Sequence, residues 1–151
     1  MQNNQTYSEI FSLISTKEDL LAMQEDLSLL EKSFFESGVN GFNSIIKTKV
    51  NQKLALNILN SMSTLGKEEV VKNIQTELSK IKTIEVTLSE IPTQNIVIKI
   101  SSWLKREIKQ KVALDIKIDP QIIAGATISL DGKYFDGSLK LVLNNVLKKY
   151  V

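Results

Sequence analysis

The chain has 151 residues, no cysteine, no histidine, a formal net charge of +2 and 42% apolar residues. That is one medium domain or two small ones of ordinary soluble composition, able as one unit to bury roughly 70% of its unfolded surface. Without Cys or His, the composition excludes disulfides, thiolate chemistry, the usual zinc ligand sets and His-based triads, and the net charge is too small to argue for nucleic acid.

Charge is unevenly placed. Residues 1–83 carry 9 Lys/Arg against 10 Asp/Glu, and residues 84–151 carry 10 against 7. A solvated surface explains that shift, although it would also suit an acidic partner. The lack of cysteine fits a reducing cytoplasm. No run of about 18 apolar residues is present, so nothing in the sequence is expected to span a membrane. The start, Met1 to Thr6, is polar and uncharged and lacks the basic and apolar regions of a signal peptide. The protein is expected to stay where it is made.

Tyr7, Ile10, Phe11 and Ile14 recur at helical spacing and predict a short first helix. Ser15 or Thr16 can cap a second, from about Thr16 to Glu36, with Glu18 and Asp19 at its positive dipole end. Leu20, Met23, Leu27, Leu30 and Phe34 form its apolar seam, widened by Leu21 and Phe35. The pairs Ser37-Gly38 and Asn40-Gly41 are expected to end it. A third helical stretch from Phe42 to Leu65 carries Ile45, Ile46, Leu54, Ile58, Leu59 and Met62, with a polar middle, Lys47–Lys53, where it can break. After Gly66, a helix from Lys67 to Lys82 carries Val70, Val71, Ile74, Leu78 and Ile81. Residues 1–82 thus read as an all-helical bundle.

At Ile84 the apolar period changes from 3.6 to 2. Ile84, Val86 and Leu88 alternate with Glu85, Thr87 and Ser89, the mark of a half-buried strand. Pro92 stops it, and Thr93 can cap a helix from Gln94 to Lys111 whose stripe is read as Ile96, Ile100, Trp103, Leu104 and Ile108. Val112, Leu114, Ile116 and Ile118 then alternate until Pro120, which cannot donate to a ladder. Ala126, Ile128 and Leu130 predict another strand, turned by Asp131-Gly132 into Lys133–Phe135. Ser138 can cap a last helix with Leu139, Val142, Leu143, Val146 and Leu147, and with Lys148 and Lys149 at its negative end. The expected class is α+β: a bundle over 1–82, then a small α/β unit over 83–151 ordered strand-helix-strand-strand-strand-helix.

No catalytic set emerges. Asp131 and Asp136 lie five apart but precede glycines at expected turns, where a side-chain acceptor is reason enough for them. Gly66-Lys67 lacks the rest of a phosphate loop, and Ile123-Ala124-Gly125-Ala126 has one glycine, short of a dinucleotide fingerprint. Trp103 could be a ligand platform or interface anchor, but its stripe points to core packing. Lys105, Arg106, Lys109 and Lys111 make a basic face without interleaved aromatics. The seam Leu20-Met23-Leu27-Leu30-Phe34 could take a partner helix or close the bundle's own core. Physical reasoning ends at a binding module. Leu20, Met23, Leu27, Leu54, Ile58 and Trp103 are the candidate partner-binding residues, and a basic nucleic-acid-binding or regulatory adaptor is the alternative.

One stretch says more. Ile84-Glu85-Val86-Thr87-Leu88, Lys111-Val112-Ala113-Leu114, Ile118-Asp119-Pro120-Gln121-Ile122-Ile123-Ala124-Gly125, Ile128, Asp131-Gly132 and Asp136-Gly137-Ser138-Leu139 follow one another in a fixed order. That order resembles the C-terminal half of the delta subunit of F-type ATP synthases, the oligomycin-sensitivity-conferring protein family. Its signature turn and cap residues fall here on Asp119, Ile122, Ala124, Gly125, Asp131, Gly132, Asp136, Gly137 and Ser138. The pattern departs at Ser129 and at Lys140-Leu141. Lys53–Leu65 and Gly66–Lys82 resemble the last helices of the family's N-terminal domain, and the chain upstream of them is shorter than the family's.

The resemblance implies a non-catalytic stator subunit without cofactor or metal. The bundle would grip alpha (and beta) subunits of the catalytic head, and the α/β unit would hold the peripheral-stalk b subunits. It further implies no nucleic acid partner, contact with the membrane only through the complex, and a place at the cytoplasmic face of the bacterial plasma membrane.

Overall fold

A computed structural model describes residues 9–36, 38–61, 66–122, 125–130 and 132–137. The class is α+β, helices first and a small mixed sheet after them. The chain divides into two compact units. One comprises Met1–Ile14 and Glu18–Ile81, the other Ser15–Lys17 and Lys82–Val151.

The first unit is helical. After a helical turn at 9–12 come α1 (Lys17–Glu36), α2 (Gly38–Thr48), α3 (Gln52–Ser61) and α4 (Lys67–Leu78). Ile10, Ile14, Leu27, Leu30, Phe42, Ile46, Leu54, Ile58, Ile74 and Leu78 are all but fully buried. The Phe34 and Phe42 rings stack at 4.9 Å between centroids, and the Lys67 ammonium lies 5.0 Å from the centre of the Phe42 ring.

Several local expectations give way to that packing. Asn40-Gly41 does not end a helix but lies inside the first turn of α2. A glycine in a helix costs about 1 kcal/mol, whereas fully burying a Phe or Ile contributes about 1.5–3 kcal/mol. Phe42 and Ile46 therefore outweigh the glycines. The stretch from Phe42 does break in its polar middle. Val50 is buried there, and Asn51 caps α3 by accepting the Lys53 N–H at 3.0 Å through Oδ1. Leu21 and Phe35 do not widen the seam of α1: they are 52% and 84% exposed. The last helix of this unit ends at Leu78, short of Lys82, because the chain already enters a strand at Lys82. Met62 and Leu65 lie outside the described residues.

The second unit runs β1 (Lys82–Leu88), α5 (Gln94–Ile108), β2 (Val112–Ile118), β3 (Ala126–Leu130) and β4 (Lys133–Asp136). Strand order is β2-β1-β3-β4, with β1 and β2 parallel and the other neighbours antiparallel. Register fixes the faces. Val86 lies opposite Ile116 and Ile128, so these apolar positions share one side of the sheet. Ile84, Val86, Val112 and Leu114 form a core there with Val97 and Leu104 of α5, and Leu88, Ile100, Ile108, Ile116, Ala126, Ile128 and Leu130 pack against it. The opposite side carries Glu85, Thr87, Asp115, Lys117 and Ser129.

α5 sits rotated from the predicted stripe. Val97, Ser101 and Leu104 are buried, while Ile96 and Trp103 are 46% and 43% exposed. The helix stops at Ile108, not Lys111, with Lys109 in the left-handed region at φ 55° so that the chain can turn into β2. The expected final helix, from Ser138 onward, lies outside the described residues.

Candidate partner-docking surfaces

In the helical unit the seam residues are inside. Leu20, Met23, Leu27, Leu54 and Ile58 are all buried in the unit's own core. Two of them also reach a surface cleft of about 450 Å³. Met23 and Leu54 line it together with Leu13 and Ala22, while Asp19, Asp26, Asn51, Gln52 and Lys53 supply the polar lining. The Asn51 N–H donates to Asp26 Oδ2 at 2.9 Å, tying the α2–α3 corner to α1. The lining is thus mixed, with four apolar side chains and five polar or charged ones.

In the sheet unit, the signature residues that the structure describes lie at strand ends and links. Asp119 ends β2 with its N–H donating to the Leu88 carbonyl at 2.9 Å, while its Oδ1 accepts the Gln121 N–H at 2.9 Å. Its carbonyl also accepts the Ile122 N–H at 3.1 Å, which closes the turn that the sequence placed there. Gly125 at φ 93° leads into β3, and Gly132 at φ 76° sits in the two-residue link between Leu130 and Lys133. Both need the left-handed region that glycine enters freely. Asp136-Gly137 closes β4, and the residues that follow lie outside the described ones. Asp136 is the last residue of β4 opposite Thr127, and the Gly137 N–H donates to the Ala126 carbonyl at 3.0 Å, continuing the ladder. Gly137 is not among the described residues with positive φ. Ala124, Asp131 and Ser138 lie outside the described residues.

Sequence reasoning missed the short segment at 15–17. Thr16 bridges in parallel to Leu114, the Leu114 N–H donates to the Ser15 carbonyl at 3.0 Å, and Lys17 pairs with Asp115 at 2.9 Å. This segment covers the outer edge of β2, which would otherwise present unpaired backbone groups. Three residues are too few to show a strand period, so nothing in the sequence signals it. On the polar face, the Lys117 ammonium is hydrogen-bonded to Glu85, which holds its pKa above the ordinary lysine value.

Trp103 completes the inventory. It stands at the surface of α5 with Lys99 and Arg106 exposed on the same helix. Among the described residues no group of three or more Asp or Glu gathers as a metal site, and no helix is long and apolar enough to cross a membrane.

The signature order from β1 to β4 lies within a longer match. The family profile of the ATP synthase delta (OSCP) subunit covers residues 36–149 and so runs through both units. The chain belongs to that family. An ATP synthase subunit delta from Mycoplasma capricolum subsp. capricolum is 30% identical over 129 residues, which is 83% of this chain and 67% of the relative. A delta subunit from Bradyrhizobium diazoefficiens is 31% identical over 81 residues, 52% of this chain and 44% of the relative. Another, from a Methylobacterium species, is 31% identical over 70 residues, 46% of this chain and 37% of the relative. The chain therefore spans less than half the length of those last two delta subunits. Lys53, Leu54 and the cleft's α3 wall fall inside the delta-family match, whereas Asp19, Ala22, Met23 and Asp26 precede it.

Proposed function

We propose that this protein is a non-catalytic stator subunit of an F-type ATP synthase, joining the catalytic head to the peripheral stalk. The observation that carries this reading is the delta-family match over residues 36–149, which takes in the sheet unit from Lys82 on and the helical unit from α2 on. The helical unit would grip the N-terminal helices of alpha subunits, next to beta, with the cleft lined by Met23 and Leu54 as its docking groove. The sheet unit would hold the C-terminal ends of the b subunits. The protein would lie at the cytoplasmic face of the bacterial plasma membrane, reaching it through the complex alone.

The physical task is to resist torque. Ion flow turns the rotor, and the rotor pushes on the head, so a joint must keep the head from turning with it. Such a joint needs contacts on two surfaces and no chemistry of its own. Unit 1 offers a groove and unit 2 an exposed apolar and basic helix, and that provision supports the reading.

Binary capture by the full chain tests it. The chain should pull down the isolated catalytic head, and separately a soluble C-terminal segment of b. Failure to retain either would overturn the proposal, and salt-sensitive retention of DNA or RNA instead would favour a basic adaptor.

A further inference from the structure

β2 is the outer strand of its sheet, and its backbone groups divide by parity. The Asp119 N–H donates to the Leu88 carbonyl at 2.9 Å, and the Lys111 carbonyl accepts the Lys82 N–H at 3.3 Å, so odd positions face β1. The Leu114 N–H donates the other way, to the Ser15 carbonyl at 3.0 Å. Val112, Leu114, Ile116 and Ile118 therefore turn their N–H and C=O groups to the outer edge. Among the described residues, Thr16 bridges Leu114 there, and no isolated bridge reaches Ile116 or Ile118. An edge of this kind is a template for another strand.

The strand is complementary to itself in one register. Let two copies of β2 meet antiparallel about a two-fold axis through Ile116. Ile116 then faces its own copy, Leu114 faces Ile118, and Asp115 faces Lys117. The even positions form the hydrogen-bonded pairs that their outward groups call for, and the opposite charges lie directly across the ladder, twice by symmetry. Registers centred on Asp115 or Lys117 would set like charges face to face. The acids on that face also need the cation. Glu85 and Asp115 are direct neighbours on β1 and β2, with Lys117 hydrogen-bonded to Glu85 and Lys17 paired with Asp115 at 2.9 Å. Without Lys17, the copy's Lys117 is placed to take over Asp115. While Ser15–Lys17 is in place, the Leu114 N–H and the Asp115 carboxylate are both engaged, and only Ile116 can pair with its copy.

We propose that the β2 edge is a self-pairing surface for β2 of a second copy, centred on Ile116, and that Ser15–Lys17 is the guard that keeps it closed. The inference goes beyond the stator reading and does not rest on it. A partly exposed ion pair is a weak fastening, so a single substitution at Lys17 should open the guard.

Sedimentation velocity of the full chain, with circular dichroism to check folding, tests it. Lys17→Glu sets like charge beside Asp115, while an acid in the first turn still suits the dipole of α1. The unsubstituted chain should sediment as a monomer and Lys17→Glu at twice that mass. Lys17→Ala, which only deletes the ammonium, should dimerise at higher concentration, and it carries the test if Lys17→Glu does not fold. Adding Lys117→Glu to either variant sets acid against Asp115 across the axis and should restore the monomer. The chain has no cysteine, so Ile116→Cys can read the register. Cα atoms of a hydrogen-bonded antiparallel pair lie about 5.5 Å apart, inside the roughly 4.4–6.8 Å that a disulfide spans. On oxidation, Ile116→Cys should crosslink two copies in the Lys17→Glu background and leave single chains when Lys17 is intact. A monomer in both Lys17 variants, or equal crosslinking with and without Lys17, would overturn the proposal. So would a dimer that survives Lys117→Glu, because the edge would then be taking strands by backbone alone.

Discussion

In the helical unit, Leu27, Leu30, Leu54, Ile58 and Ile74 are buried together, and local backbone preferences bend to that packing. In the sheet unit, backbone pairing from Lys82↔Val112 to Leu130↔Lys133 sets the faces, and the residues at the ends of strands do what their local chemistry dictates. Side-chain volume therefore governs one region and backbone register the other. The glycines inside α2 are tolerated because the burial of Phe42 and Ile46 on the same helix outweighs their cost. A glycine between β3 and β4 is favoured because residue 132 sits at φ 76°, which glycine reaches without strain.

The contrast can be broken by substitution, and the largest effect belongs to the helical core. Leu27→Ala removes a fully buried side chain and should lower unfolding stability by about 2–5 kcal/mol in urea titration. A loss below that range would mean the bundle can collapse around the gap. In the sheet unit, Gly132→Ala should cost about 1–2 kcal/mol from its φ of 76°. A new Cβ there meets no atom within 4 Å, so an unchanged melting temperature would leave the turn assignment without support.

Ser101→Ala has the opposite sign. Removing an unpartnered buried hydroxyl should raise stability by about 1 kcal/mol, whereas Ser33, equally buried, donates to the Leu30 carbonyl at 2.6 Å and should gain nothing from the same change. Equal gains at both sites would contradict this account of Ser101. The smallest effect is electrostatic. The hydrogen bond from Lys117 to Glu85 raises the lysine pKa above its unfolded value. Its contribution is therefore present at neutral pH and fades as pH climbs through the alkaline lysine range. NMR titration of Nζ should show the Lys117 pKa falling back toward the usual lysine value in Glu85→Gln.

Much of this was legible in the residues. The 3.6-period seams of Leu20–Leu30 and Val70–Leu78 and the period-2 runs of β1 and β2 report directly on burial, and all four elements form where those runs stand. Asp119 was legible as a turn because its carboxylate has a backbone N–H two residues away to accept. Trp103 was misread for a physical reason. On a helix with apolar residues at 96, 97, 98, 100, 103, 104 and 108, periodicity admits two faces, and the sheet selects the one through Val97, Ser101 and Leu104. That face buries a serine, which no hydropathy pattern favours, and leaves tryptophan at the surface. The edge pairing of Thr16 with Leu114 joins residues far apart in the chain, and local signals hold no record of it.

The proposed joint is tested most directly by asking whether the chain can bridge. The isolated catalytic head and a soluble b segment, each labelled separately, can be sedimented with and without the full chain. The expected result is co-sedimentation of the b label with the head when the chain is present and none when it is absent. If both labels bind the chain singly but never sediment together, or if the head retains b equally well without it, the protein is not the link between them.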